Sequence, residues 1–355
     1  TSNNTVFADK DGNIAYWHGN HIPKRDLKFD WTKPVDGSTS ATKYLGLHTV
    51  EESVHIYNPK NGWLQNCNST PFSVAGIHSP VKTDYPSYMA PDGENFRGIN
   101  AVRVLNKEHQ FTLDKVIEAG YDRNLSAFEV LIPALLNAYQ TKFATYPQLK
   151  EAIQILKAWD YQSSENSVAT TLAIEWAQKL NRDIMQVYID AGEKDQVEKT
   201  QEFAKTANAD KLLTTLTTTL TELEKKFGKW QMPWGEVNRF QRLTGKVNEV
   251  YDDTKESLPV GFASALWGQL PSYNSNVMPG TTKRYGVSGN SFVCAVEFGD
   301  KIKAKSVLAG GISGNVDSIH FKDQAQNYTQ GKFKDVLFYK EDVLKNMEKR
   351  YHPGE

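Results

Sequence analysis

The chain has 355 residues, with 41 Lys and Arg against 42 Asp and Glu, a formal charge of 41 − 42 = −1 with histidine neutral. That length can bury a large interior and suggests two domains or one large layered one, and the near-zero charge provides no field for nucleic acid or an anionic membrane surface. No apolar run approaches the ~18 residues that span a bilayer, and no basic segment followed by an apolar one opens the chain, so neither nucleic-acid binding nor membrane insertion is expected. The two cysteines, Cys67 and Cys294, are too few for a disulfide framework or a four-cysteine zinc site. One bridge can form, or Cys67 is a small buried filler. The opening TSNNTVFADKDGNIAYW enters a strand almost at once, so a fragment or a processed product is expected.

In VFADKDGNIAYW, two apolar runs flank Asp11-Gly12 and predict a hairpin. PVDGSTS marks a further turn, and so do Asn58-Pro59 and Asn61-Gly62 in NPKNGWLQNCNSTPF (58–72). Between these turns and Pro71, which cannot donate to a ladder, residues 63–67 read as a short strand. Alternation puts Trp63, Gln65 and Cys67 on one face and Leu64, Asn66 and Asn68 on the other. Amides on a buried face need partners. Either neighbouring backbone satisfies them, or they point into a pocket where a ligand does.

From Phe111 the period becomes helical. Thr112 is an N-cap candidate, and SAFEVLIPALLNAYQTKF, YPQLKEAIQILKAWD and SVATTLAIEWAQKLNRDIMQVYI follow as amphipathic segments. Ala152, Ile153, Ile155, Leu156 and Trp159 share one apolar face. Leu212, Leu213, Leu216, Leu220 and Leu223 form a stripe shorter than three heptads, which reads as core packing and not as a zipper. After Trp230, strands and Gly-rich turns return in WGEVNRFQRL, KRYGVSGNSFVCAVEF and KSVLAGGISGN, and YKEDVLKNMEKRYH predicts a short charged helix. The predicted organisation is a strand-rich part over 1–110, a helical insertion over 111–229, a return to the core sheets over 230–339 and a terminal helix over 340–355. If the two strand blocks pair in one sheet system with helices outside it, the class is α+β.

No HExxH, CxxC pair, GxSxG or GxxxxGK[ST] occurs, so the metalloprotease, zinc, α/β-hydrolase and P-loop readings have no motif behind them. His18, His21 and His320 are scattered and read as structural residues, not a ligand set. AGGISGN (309–315) has no strong helix start after it and reads as a loop in close backbone contact, not a phosphate cradle. Thr1 has the chemistry of an N-terminal nucleophile whose own amine is the base, but every trimmed chain has some first residue, and Thr1 is not assigned that role.

Three stretches, in order, resemble the penicillin acylase (penicillin amidase) family of N-terminal-nucleophile hydrolases. They are NTVFADKDGNIAYW with GNHIPKR and PVDG; NPKNGWLQNCNSTPF; and WGEVNRFQR with AGGISGNVDSIHFKDQAQNYTQGKFKDVLF. QNCN and WGEV are most similar to the branch of acyl-homoserine lactone acylases and aculeacin A acylase. The resemblance implies an α+β fold, part of a four-layer αββα sandwich with an inserted helical block. It implies hydrolysis of an N-acyl amide such as an acyl-homoserine lactone. The alternatives are a penicillin-type acylase, or a non-catalytic binding or scaffold protein that kept the fold.

In that family a precursor cleaves itself, and the new first residue, usually serine, attacks the amide with its own amine as base. That residue stands well upstream of the hairpin. The resemblance therefore implies that the nucleophile lies outside this chain and that the chain alone is inactive. The implied partners are the upstream α chain, the N-terminal part of the β chain of the same precursor, and a small-molecule acyl amide. A periplasmic or secreted location, quorum-signal or antibiotic-related chemistry and no cofactor are implied as well. Matched residue by residue, the second asparagine of the family's N-x-N falls on Asn68, whose implied role is to donate its NH2 to the oxyanion of the tetrahedral intermediate. Asn66, on the same face, is a candidate substrate-binding residue or partner of Asn68. FRGINAVRVLN carries the implied active-site arginine at Arg97, which would orient Asn68 or the nucleophile through fixed donors; Arg103 is the lesser candidate. Where some relatives place a calcium-binding aspartate, DYPSYM has Met89, so no metal is expected.

Overall fold

The computed structural model describes residues 3–19, 21–108, 110–187, 195–352 and 354. Strands β1 (Thr5–Ala8) and β2 (Ile14–Trp17) form the expected antiparallel hairpin, with Val6 opposite Tyr16. Asp9 fixes the turn, its Oδ1 accepting from the N–H of Asp11 and of Asn13, both at 2.9 Å. The Asn13 side-chain amide donating to its Oδ2 at 2.9 Å, and after it these backbone bonds, hold its carboxyl below the usual carboxylate range. β3 (His55–Tyr57) pairs with the other side of β2. Asn58 then closes the sheet, its Oδ1 accepting from Ile14 N–H at 2.8 Å and its Nδ2 donating to Asn13 Oδ1 at 2.9 Å.

The remainder of this first part is less stranded than expected. Asp26, Asp30 and Asp36 each accept from the N–H two residues on, which turns the chain locally and competes with ladder formation. Residues 63–67 do not form a strand. Gln65 N–H donates to Val74 O at 2.8 Å, but no ladder continues from it. The segment is bounded by left-handed residues, Gly62 at φ 73° and Asn68 at φ 54°, and no partner strand among the described residues lies alongside. Alternation nevertheless persists in the extended chain. Trp63, Gln65 and Cys67 are buried, whereas Asn66 and Asn68 face outward.

Helix α1 (Phe96–Leu105) precedes a run of six helices at the predicted period. These are α2 (Leu113–Gly120), α3 (Phe128–Lys142), α4 (Lys150–Lys157), α5 (Val168–Met185), α6 (Gln196–Thr206) and α7 (Ala209–Phe227). Four of the six starts follow side-chain chemistry: Thr112, Ser167, Asp195 and Asn208 each accept an N–H from the first turn. Gly228, at φ 78°, ends α7 in the left-handed conformation that glycine adopts without strain. The largest apolar cluster lies among these helices and contains Leu131, Leu135, Ile153, Leu156 and Trp176. All five leucines of the α7 stripe are buried in it, as core packing predicted.

Strand structure resumes after the short helix α8 (Trp234–Val237). β4 (Asn238–Phe240), β5 (Leu258–Pro259), β6 (Tyr273–Val277) and β7 (Arg284–Gly289) form a sheet in the order β5-β4-β7-β6. β8 (Phe292–Glu297), β9 (Lys303–Leu308) and, after α9 (Ala325–Gln330), β10 (Lys334–Asp335) form another. The charged helix α10 (Lys340–Lys345) follows. The class is α+β. The early and late strand blocks, however, are not paired in one sheet: three sheets are present among the described residues, and β2 has both edges taken by its own neighbours β1 and β3. One buried ion pair fastens helices to strands, with Arg284 Nη1 of β7 lying 3.0 Å from Glu175 Oε1 of α5.

Candidate active site

The irregular segment after Gly62 and the start of α1 meet at Asn68. Three of its four polar groups are held by protein. Its N–H donates to Asn66 Oδ1 at 3.2 Å, its C=O accepts from Asn95 Nδ2 at 3.3 Å, and its Oδ1 accepts from Arg97 Nη2 at 2.6 Å. The same Arg97 nitrogen donates to Cys67 O at 2.9 Å. A guanidinium on Oδ1 settles which way the carboxamide faces, because Arg has donors and no acceptor. The NH2 of Asn68 is left pointing away, on an exposed residue and without a partner among the described residues. A charge-assisted bond of this length is at the strong end for side chains.

The supporting residues are themselves tied down. Asn66 Oδ1 accepts a second bond, from Asn4 Nδ2 at 3.1 Å, and Asn4 Oδ1 accepts from Gly19 N–H at 3.1 Å. The hairpin end is thereby linked to the asparagine segment. Thr70 N–H donates to Gly93 O at 2.9 Å, and Asp195, the N-cap of α6, accepts from Glu94 N–H at 3.0 Å. Gly98 lets α1 approach, since a Cβ there would lie 2.6 Å from Ser69 Oγ. Cys67 is buried beneath, and burial pushes its thiol up to about 11, so it stays protonated and inert near neutral pH. Both cysteines are free.

The sequence-predicted residues sort cleanly by position. Asn66, Asn68 and Arg97 come together. Arg103 does not join them: it donates to Glu129 Oε1 at 2.6 Å and to Asn100 Oδ1 at 2.5 Å, on another face of α1. Met89 is buried with Val54 and Ala90 in an apolar cluster. Thr1 lies outside the described residues. His18, His21 and His320 are apart, and no group of three His, Cys, Asp or Glu able to hold a metal occurs among the described residues. His18 is buried, with Nε2 3.3 Å from Asp92 Oδ2 and Nδ1 3.3 Å from the Tyr16 hydroxyl. Burial pulls its pKa below the ordinary histidine value, partly opposed by Asp92. The Gly-rich loop is in close backbone contact, as expected: Arg242 donates to the carbonyls of Gly311, Ser313 and Phe321 across it. Sequence reasoning missed Asn4 and Asn95. The second had a signal, an asparagine immediately before the apolar helix start FRGI.

Comparison with known proteins agrees with this reading of the fold. Residues 1–345 match the family model described as penicillin amidase. Penicillin G acylase of Escherichia coli is 27% identical over 165 residues, covering 44% of this chain and 18% of that protein. The chain thus spans less than a fifth of the length of this curated relative. The solved structure of a thermostable penicillin G acylase from Alcaligenes faecalis superimposes with a TM-score of 0.57 at 18% identity, over 98% of this chain and 67% of that one. The likeness is one of fold. With the family match running over all but the last ten residues, the chain belongs to the penicillin amidase family.

Proposed function

We propose that this chain supplies the oxyanion-binding face of an N-acyl amide hydrolase, with Asn68 as the donor and Arg97 as the residue that aims it. The carrying observation is the asymmetry of the Asn68 carboxamide: oxygen held at 2.6 Å by Arg97, nitrogen on an exposed residue and unpartnered among the described residues. When a nucleophile adds to an amide carbonyl, negative charge develops on its oxygen, and a preorganised N–H stabilises that charge without reorganising. Asn66 acts in this scheme as the acceptor for Asn68 N–H; its own NH2 is available to a bound substrate. In this reading the attacking residue opens the N-terminal part of the β chain of the same precursor, outside these 355 residues, and the upstream α chain is a further partner, so this chain alone is inactive.

Two substrate classes follow from different grounds. The QNCN and WGEV stretches support acyl-homoserine lactones, and so breakdown of a quorum signal, in the periplasm or outside the cell. The names of the two relatives favour penicillin-type amides. Comparing kcat/KM on a long-chain acyl-homoserine lactone and on penicillin G decides between them. The scheme itself is tested in the complete, active enzyme. Asn68→Ala is expected to lower kcat by about 10²–10³ with little change in melting temperature. An unaltered kcat would remove Asn68 from the site.

A further inference from the structure

We propose that Asn95 is a positioning residue that sets the backbone of Asn68 and thereby the place of its NH2. The inference rests on the reading of Asn68 given above. Asn95 uses both ends of its side chain. Its Oδ1 accepts from Gly98 N–H at 2.8 Å, capping α1, while its Nδ2 donates to Cys67 O at 3.1 Å and to Asn68 O at 3.3 Å. Those two carbonyls belong to the peptide planes on either side of the Asn68 Cα. One NH2 group therefore restrains both planes at once, and with them φ and ψ.

That restraint matters because Asn68 has φ 54°. The left-handed region is disfavoured for residues with a Cβ, asparagine less than most, and persists where the surroundings over-determine it. Here they do: Asn66 takes the N–H, Asn95 takes both flanking carbonyls, and Arg97 shares the first of these. Released from Asn95, the segment can relax toward an ordinary φ, which swings the Cα–Cβ bond and carries the carboxamide out of line. A displacement of about 1 Å suffices to cost roughly 10²-fold in rate. A cap without this second role would affect α1 alone.

The two roles separate by substitution. Asn95→Asp and Asn95→Ser both keep an acceptor for Gly98 N–H, and aspartate and serine are good caps. Neither can donate as the amide does, and the carboxylate sets oxygen against two carbonyl oxygens. In the complete enzyme both variants are expected to melt within about 4 °C of the parent, with kcat lowered about 10- to 100-fold and KM within about twofold. In an Asn68→Ala background, Asn95→Asp is expected to lower kcat no further, because the group it positions is gone. A normal kcat in both single variants, or the same loss with Asn68 already removed, would overturn the proposal. If Asn68→Ala lowers kcat while Asn95→Asp does not, this inference alone fails. If Asn68→Ala is silent, the functional reading fails with it.

Discussion

Asn68 and its neighbours illustrate how little of a site resides in one residue. Its identity and that of Arg97 were legible through resemblance, and alternation placed Asn66 and Asn68 on a shared face; that this face is the exposed one came from the structure. The contact between Asn68 and Arg97 was not legible, because Arg97 is 29 positions away and nothing local records a guanidinium reaching across. The same holds for the histidines, which read as structural. His18 carries a pH consequence. Its pKa is lowered in the fold, chiefly by burial, so below about 6.5, the ordinary value, the unfolded chain takes a proton that the folded chain resists. The stability contributed by neutral His18 is thus full above that value and is lost as pH falls toward the folded pKa. His320 has the opposite sign: Asp323, at 2.8 Å, raises its pKa, so any contribution is full below about 6.5 and fades as pH rises through the raised value. Melting temperatures measured between neutral and mildly acid pH are expected to fall less steeply for His18→Gln than for the parent. Parallel curves would refute the assignment.

At the scale of elements, what the sequence revealed was what local chemistry determines. The hairpin follows from Asp9, Gly12 and two apolar runs, and α2, α5, α6 and α7 begin at residues whose side chains accept from their own first turns, whereas α3 and α4 start at Ala127 and Leu149 without such a cap. Residues 63–67 are not a strand because a strand is a property of two segments, and beyond the single bond from Gln65 to Val74 no second strand among the described residues pairs with them. Asp195 is where one element reaches another: it caps α6 in a reciprocal capping box with Glu198 and also accepts from Glu94 N–H, just ahead of α1. Asp195→Ala therefore removes a cap and also deprives a second segment of its acceptor. Denaturant unfolding is expected to show a loss of about 2 kcal/mol or more, against about 1 kcal/mol for Asn208→Ala, which removes a cap alone. Equal losses would mean that the Glu94 contact contributes nothing.

For the whole molecule, the order of strand, helix and strand blocks was visible in the changing period, whereas the partition into three sheets was not. Pairing between distant blocks depends on which edges remain open after local pairing, and β2 is covered from both sides by strands of its own block. The helices are held to the later strands by packing and by the Arg284–Glu175 pair, whose side chains are 9% and 12% exposed. Removing one partner strands the other charge. Glu175→Leu is expected to destabilise by about 3–5 kcal/mol, while the double replacement Glu175→Leu with Arg284→Met recovers much of that loss. A single variant as stable as the parent would show that the pair does not couple helices to sheet.

The account turns on where the Asn68 amide points when an oxyanion is present. A structure of the complete enzyme carrying a tetrahedral phosphonate on its nucleophile measures this directly. The expected result is Asn68 Nδ2 about 3 Å from the phosphonate oxygen, with Arg97 still on Oδ1. A phosphonate oxygen bound by other donors, with Nδ2 beyond about 3.5 Å, would contradict it.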